Sequence, residues 1–461
     1  MKKSTFFIPL LLCIISFNLN AKSINAEKAK QAAVNFLYQR SDITEKSDFS
    51  ISLLKEIKDE NTKEPLCYVF SLLPKGFVIM SADDNLQPVI GYSYEDDFIE
   101  FASPSFNAWM NGYYKQISFA LQNKSIDNSK NNAWAELENK SGKKQLLDKA
   151  PMITTKWDQA NNYNALCPLD SLGPDGHALV GCVATAMGQI MKFWNYPEHG
   201  NSGYAYQHIP PMFANNYGKV EANFAITNYE WTNMPTKSNS TSKIAVSTLL
   251  YHCGVSVKMM YGPDGSGSFT DRVPSALAQY FSYSPAVKYI ERSIYPNPQW
   301  DAMMMYQLNI GLPVLYSGSG PAGGHAFVLD GYQDSSYFHI NWGWSGANNG
   351  YFYFTSLNSG NGDFTGDQGA VVDIYPLGHV SVPEINSESA MVYPNPAQDF
   401  IIIEGFDANK ASVDIFNNIG QLVLSNVENS KVDVSNLENG LYFVKVKTDS
   451  KSSVSKVFIQ R

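Results

Sequence analysis

Basic residues are too few and too dispersed in this chain to build a nucleic-acid surface. Across 461 residues, 34 Lys and Arg stand against 43 Asp and Glu, a formal net charge of -9, with no basic stripe or recognition motif. Long apolar runs are also missing. Beyond the first 21 residues no segment approaches the ~20 consecutive apolar residues of a spanning helix, so no stable membrane span is expected. Cysteine is sparse, five in all, with no CxxC and no Cys/His cluster. That excludes a structural zinc site and a dense disulfide framework, and leaves only a Cys167–Cys253 pair open. No Gly-Lys-Ser/Thr follows Gly265-Ser266-Gly267-Ser268, so this run is not a phosphate loop. Asn358, Asn361, Asp363 and Asp367 lack EF-hand spacing and read as an ordinary Gly-rich loop. Carboxylates paired as in a glycosidase are absent too, and so are solenoid repeats. No metal or organic cofactor is called for.

What is present falls into four stretches. Lys2 and Lys3, an apolar run over 6–17 and Leu19-Asn20-Ala21 read as a signal peptide over residues 1–21, which predicts export. Residues 22–121 predict a small α+β unit: a helix over 26–39, strands near 51–57, 67–72 and 76–81, and a helix over 106–121. Over 122–150 Asn, Lys, Ser and Glu take over, which is linker composition. The largest block, 149–378, carries a patterned helix early and aromatic-rich strands late. From 390 to 461 short alternating strands separated by turn residues predict a β-sandwich.

The most informative run is Gly181-Cys182-Val183-Ala184-Thr185-Ala186-Met187-Gly188-Gln189. Val183, Met187, Ile190, Met191 and Trp194 recur at helical spacing, so Cys182 opens a helix whose apolar stripe enters a core. A thiol there faces unpaired N–H groups and the positive end of the helix dipole. Both favour the nucleophilic thiolate, and a backbone N–H is available to an oxyanion. A cysteine nucleophile needs a base. Of seven histidines, His177, His199 and His208 fall in loop or polar segments, His252 and His339 in apolar or aromatic ones, and His379 in a linker. His325 alone follows a small-residue loop, with Gly323 and Gly324, and feeds the strand Ala326-Phe327-Val328-Leu329. Its distance from Cys182 lies in the roughly 130–150-position range of papain-type enzymes. Asn341 and Trp342 follow, and on a strand they point to opposite faces. Either Asn341 fixes the imidazole tautomer, or Trp342 covers the ion pair or acts through its backbone. Upstream, Gln159 in a polar segment is a candidate second oxyanion donor.

Taken together, five segments resemble the streptopain family of papain-like cysteine proteases. They are Lys156-Trp157-Asp158-Gln159 with Tyr163-Asn164, Gly181 to Met191, Tyr261-Gly262-Pro263, Gly324 to Tyr332, and Asn341-Trp342-Gly343-Trp344. The resemblance implies an α+β papain-like catalytic domain with Cys182 as nucleophile, His325 as general base and acid, and Gln159 in the oxyanion hole. It puts Trp342 ahead of Asn341 as the support of the histidine. It also sets Gly265, Ser266, Gly267 and Ser268, with Gly323 and Gly324, at the substrate cleft. Substrates are then proteins or peptides with an apolar residue next to the one donating the scissile carbonyl. Residues 76–84 and 88–93 resemble the family's inhibitory propeptide, a resemblance that implies an intramolecular inhibitor over residues 22–148. Tyr393-Pro394-Asn395-Pro396, Gly440 to Val444 and Lys456-Val457-Phe458-Ile459 are similar to the type IX secretion sorting domain of Bacteroidetes. That resemblance implies the type IX machinery as a partner and a secreted or outer-surface location. Two other readings share these residues: a cell-wall peptide amidase or transpeptidase, and a non-catalytic surface binder on a protease scaffold.

Overall fold

A computed structural model describes residues 23–41, 50–100, 104–123, 128–139, 142–143, 148–210, 215–320, 323–334, 336–354, 368–378, 391–404, 411–417, 421–427, 430–448 and 452–460. The signal segment and the loop bearing Asn358, Asn361, Asp363 and Asp367 lie outside the described residues.

Helix α1 (Ala26–Arg40) starts where the Asn25 side chain accepts from Lys28 N, and it buries Ala29, Ala33, Phe36 and Leu37. Strands β1 (Ser50–Lys58), β2 (Pro65–Leu73), β3 (Phe77–Ser81) and β4 (Val89–Ser93) follow as an antiparallel meander, then helix α2 (Pro104–Asn123). The linker expected over 122–150 instead contains helix α3 (Asn128–Asn139). One aromatic explains the difference. Trp134 is 2% exposed and donates Nε1 to the carbonyls of Asp83 and Leu86. A tertiary anchor of this kind holds a helix that its polar composition does not announce.

The following block opens with β5 (Asp148–Lys149) and a strap that leads to helix α4 (Cys182–Trp194). The hairpin β6 (Gly203–Gln207) and β7 (Lys219–Asn223) precedes helices α5 (Lys243–Ser256) and α6 (Val273–Tyr280). Strand β8 (Lys288–Glu291) and helix α7 (Asn297–Asn309) lead into β9 (Val314–Gly320), β10 (Gly323–Gln333), β11 (Tyr337–Asn341), β12 (Gly350–Tyr353) and β13 (Gly369–Val372).

The N-terminal unit and this block share one 11-stranded sheet, ordered β1-β2-β3-β4-β12-β11-β10-β9-β13-β8, with β5 paired to β10. At the seam Tyr92 lies opposite Tyr351 and Gly91 opposite Phe352. A Cβ on Gly91 would sit 2.4 Å from the Phe352 ring, so the seam closes only over glycine. Alternation along β10 divides the interior in two. Phe327 and Leu329 join α1, α2 and the first four strands in one core, whereas Ala326 and Val328 join α4 and α5 in the other.

Strands β14 (Met391–Tyr393), β15 (Phe400–Glu404) and β18 (Lys431–Asp433) form one C-terminal sheet. Strands β16 (Ala411–Asn417), β17 (Leu422–Val427), β19 (Gly440–Thr448) and β20 (Ser452–Ile459) form a second. Ile401, Ile403, Ile415 and Val444 fill the space between them, which gives the expected two-layer sandwich. Cys67, Cys167, Cys182 and Cys253 are free thiols, so Cys167 and Cys253 are not joined. Among the described residues, no helix is long and apolar enough to cross a membrane.

Candidate active site

Gly181 turns the strap into helix α4 with φ +94°, a conformation L side chains rarely adopt. A Cβ there would meet Met259 Sδ at 2.6 Å and Ser266 O at 3.1 Å. Cys182 therefore begins the helix, half-buried, while Val183, Met187, Ile190 and Met191 are buried below it. Its Sγ accepts from Ala326 N on β10 at 3.4 Å. Burial pushes the thiol above its ordinary range, opposed by the N–H groups of Ala326, Val183 and Cys182 itself.

His325 immediately precedes Ala326, opposite Gly318 on β9. Its Nε2 is buried with no hydrogen-bond partner, and burial lowers its pKa. No hydrogen bond joins the imidazole to the thiol. The two shifts together favour a neutral thiol beside a neutral imidazole, opposite to an activated thiolate–imidazolium pair.

Gln159 is held beside the entry to α4, because its carbonyl accepts from Val180 N at 3.0 Å. It is 4% exposed, and its Nε2 also has no partner. Buried polar atoms are nearly always paired. Here an amide donor is left unpaired on a residue bonded to Val180, two positions before the thiol, and an imidazole nitrogen on the residue preceding Ala326, whose N–H reaches the thiol. Such a site is able to donate to a developing oxyanion and to move a proton.

Asn341 and Trp342 contact other groups. Asn341, on β11, donates Nδ2 to Thr155 O at 2.7 Å and accepts from Gln189 Nε2 and Gly343 N. Trp342 is fully buried, with Nε1 on Asn348 O and its ring 4.9 Å from that of Phe327. Neither side chain hydrogen-bonds to His325. Ser266 Oγ donates to Leu179 O at 2.6 Å and accepts from Gly262 N, which lays its loop against the strap entering α4. Gly267 pairs with Met260, Ser268 Oγ donates to Val257 O, and the Cβ position of Gly265 faces open space. Gly323 and Gly324 open β10 opposite Gly320 and Ser319.

Two features escaped sequence reasoning. Gln189 is a fully buried amide two helical turns after Cys182, and a polar residue on an apolar helix face was its only signal. Asp330 accepts from His339 Nδ1 at 2.6 Å and from Ile153 N at 2.9 Å, and that long-range pairing has no local signature.

Residues 157–352 match the Peptidase C10 family, residues 21–117 the Spi protease inhibitor, and residues 391–460 the secretion system C-terminal sorting domain. Streptopain of Streptococcus pyogenes is 34% identical over 374 residues, which are 76% of this chain and 92% of streptopain. The thiol protease/hemagglutinin PrtT of Porphyromonas gingivalis is 32% identical over 419 residues, 86% of this chain. The chain spans 46% of that longer relative. A solved mutant fragment of Prevotella intermedia prointerpain A superposes with a TM-score of 0.57 at 30% identity, covering 71% of this chain and 99% of the fragment.

Proposed function

The chain belongs to the peptidase C10 family, and from that premise we propose that Cys182 is its nucleophile, His325 its general base and acid, and Gln159 an oxyanion donor. It is a streptopain-like cysteine protease made with an inhibitory propeptide, and its sorting domain implies secretion or the outer surface.

In the active form His325 takes the Cys182 proton, and the thiolate sulfur adds to a peptide carbonyl. The oxyanion sits between Gln159 Nε2 and the Cys182 N–H. His325⁺ then protonates the leaving amine, which departs and leaves the acyl group on sulfur. Water, deprotonated by His325, adds to the thioester and releases the acid and the thiol. Trp342 walls the strand bearing His325 through Phe327, and the loops with Gly265 to Ser268 and Gly323-Gly324 border the cleft. Substrates are proteins or peptides, and the type IX machinery handles the unit at 390–461. Residues 22–148 are the inhibitor and residues 149–378 the catalytic domain.

The observation that carries this reading is the pair of buried, unpartnered nitrogens on Gln159 and His325, two residues that the backbone bonds of Val180 and Ala326 tie to the start of the helix bearing the half-buried Cys182 thiol. A thiol-directed epoxide, followed by mass spectrometry, tests it. Labelling confined to Cys182 in the processed form, with casein cleaved and peptidoglycan intact, is the expected result. A processed form that takes no label would sink the assignment, and cleavage of peptidoglycan alone would move the enzyme to cell-wall chemistry.

A further inference from the structure

Gln189 and Asn341 form a closed amide relay under the nucleophile helix. Gln189 Oε1 accepts from Thr155 Oγ1 at 3.0 Å and from Trp157 N at 3.3 Å, while its Nε2 donates to Asn341 Oδ1 at 3.2 Å. Asn341 Nδ2 returns to Thr155 O at 2.7 Å, and Asn341 Oδ1 takes a second proton from Gly343 N at 3.1 Å. Thr155 is thus held by both its carbonyl and its hydroxyl, in a ring that joins α4, β11 and the strap. Gln189 and Asn341 are 0% and 2% exposed, so these bonds have no competition from water.

The clamps continue on either side. Upstream, Asp330 O accepts from Met152 N at 3.0 Å and its carboxylate from Ile153 N. Downstream, Trp157 O accepts from Ser345 N, and the Asp158 carboxylate takes Ser345 Oγ at 2.5 Å and Gln159 N at 2.6 Å. The strap over 152–159 is bonded to β10, α4, β11 and the turn after it. At its end the Gln159 side-chain N–H is left without a partner. A donor that waits for charge to develop is effective only if it is already in place, so rigidity of its support bears on rate.

We propose that Gln189 and Asn341 are positioning residues for the oxyanion donor, fixing the Gln159 amide against the nucleophile helix, and that Asn341 does not orient His325. The proposal rests on the Gln159 assignment above. Asn341 spends both lone pairs and one N–H on Gln189, Gly343 and Thr155, and none of these bonds reaches the imidazole.

Two chemistries separate the alternatives. Alkylation of Cys182 by iodoacetamide passes through no oxyanion but depends on the thiolate–imidazolium pair; peptide hydrolysis needs both. The full chain is produced and processed as wild type, Asn341→Ala, Thr155→Val, Gln159→Ala and Asn341→Ala/Gln159→Ala. Asn341→Ala lowers kcat/KM about tenfold, mainly in kcat, while the alkylation rate stays within about twofold of wild type from pH 5 to 9. The double variant is no slower than Gln159→Ala alone. Thr155→Val is nearly isosteric and removes only the hydroxyl bond to Gln189, and it shows a smaller loss of the same kind if Asn341→Ala fails to fold. A fall in alkylation matching the fall in hydrolysis, a shifted alkylation pH profile, or additive losses in the double variant overturns the proposal. Full activity in Gln159→Ala removes the Gln159 assignment itself, and wild-type enzyme unlabelled at Cys182 removes the nucleophile; both outcomes are distinct from those above.

Discussion

At the scale of single residues, burial sets the chemistry of the precursor. It raises the Cys182 thiol and lowers the His325 imidazole, which favours the uncharged form of both at neutral pH. The thiolate fraction then grows as pH rises toward and beyond the ordinary thiol range. Iodoacetamide should label the unprocessed chain slowly at pH 7 and progressively faster above pH 9, while the processed enzyme labels readily at pH 7. Equal rates for the two forms at pH 7 would contradict this. In the processed enzyme, Gln159→Ala should lower kcat by about 10²–10³ with little change in KM, the cost of one oxyanion donor. Asp301 on α7 offers a test of stability. Its Oδ1 is buried without a partner, and burial lifts its carboxyl to about 7 despite Arg292 nearby. Between about pH 4 and 7 the folded chain binds this proton and the unfolded chain does not, so stability declines as pH rises through that window and levels off above it. Urea midpoints at pH 5 and pH 8 should differ less in Asp301→Asn than in the wild type; an unchanged difference refutes the assignment.

At the scale of elements, two glycines fix how parts meet. Gly181→Ala must place a methyl against Met259 and Ser266 at φ +94°, which should cost stability and move Cys182, measurable as a lower melting temperature together with slower hydrolysis. Gly91→Val at the β4–β12 seam strikes Phe352 and should loosen the N-terminal unit, so that the unprocessed chain alkylates faster at Cys182. Retained slow labelling would mean the seam plays no part in latency. Helix α4 was legible because its apolar stripe repeats every turn. Strands β10, β15, β16 and β19 were legible because alternation or turn residues bound them. Helix α3 was not, since Trp134 finds its partners near Asp83 and Leu86, far away in the chain. Cys182 and His325 could be picked out by local context, one at a helix start and the other after a glycine-rich loop. The relay of Thr155, Gln189 and Asn341 could not: Asn341 stood out only as a candidate partner of the imidazole, and Thr155 and Gln189 acquire meaning only where the chain brings the three together.

For the whole molecule, the shared sheet matters more than any one contact. The Arg40–Asp334 ion pair at 3.1 Å, the Lys156–Asp96 pair at 2.6 Å and the reciprocal bonds between Asn348 and Ile99 all cross between the N-terminal unit and the following block. Trp109 of α2 packs on Phe327, Trp342 and Phe354. A nick between these units therefore should not separate them. After limited proteolysis the two fragments are expected to co-elute on gel filtration, with hydrolysis appearing only once the N-terminal fragment is itself degraded. Separate elution of intact fragments would show that the joint is weak.

The joint has a second meaning in time. Strands that pair across it come from opposite ends of a long stretch of chain, with contacts such as Gln87 to Tyr337 separated by 250 positions, so they are expected to form late and slowly. The core containing Phe327, Trp342 and Phe352 is closed by side chains of α1 and α2. An enzyme stripped of those helices has lost part of the template on which that core assembled. Once denatured, it is expected to refold far more slowly than the unprocessed chain, so that the height of the unfolding barrier sets its working lifetime.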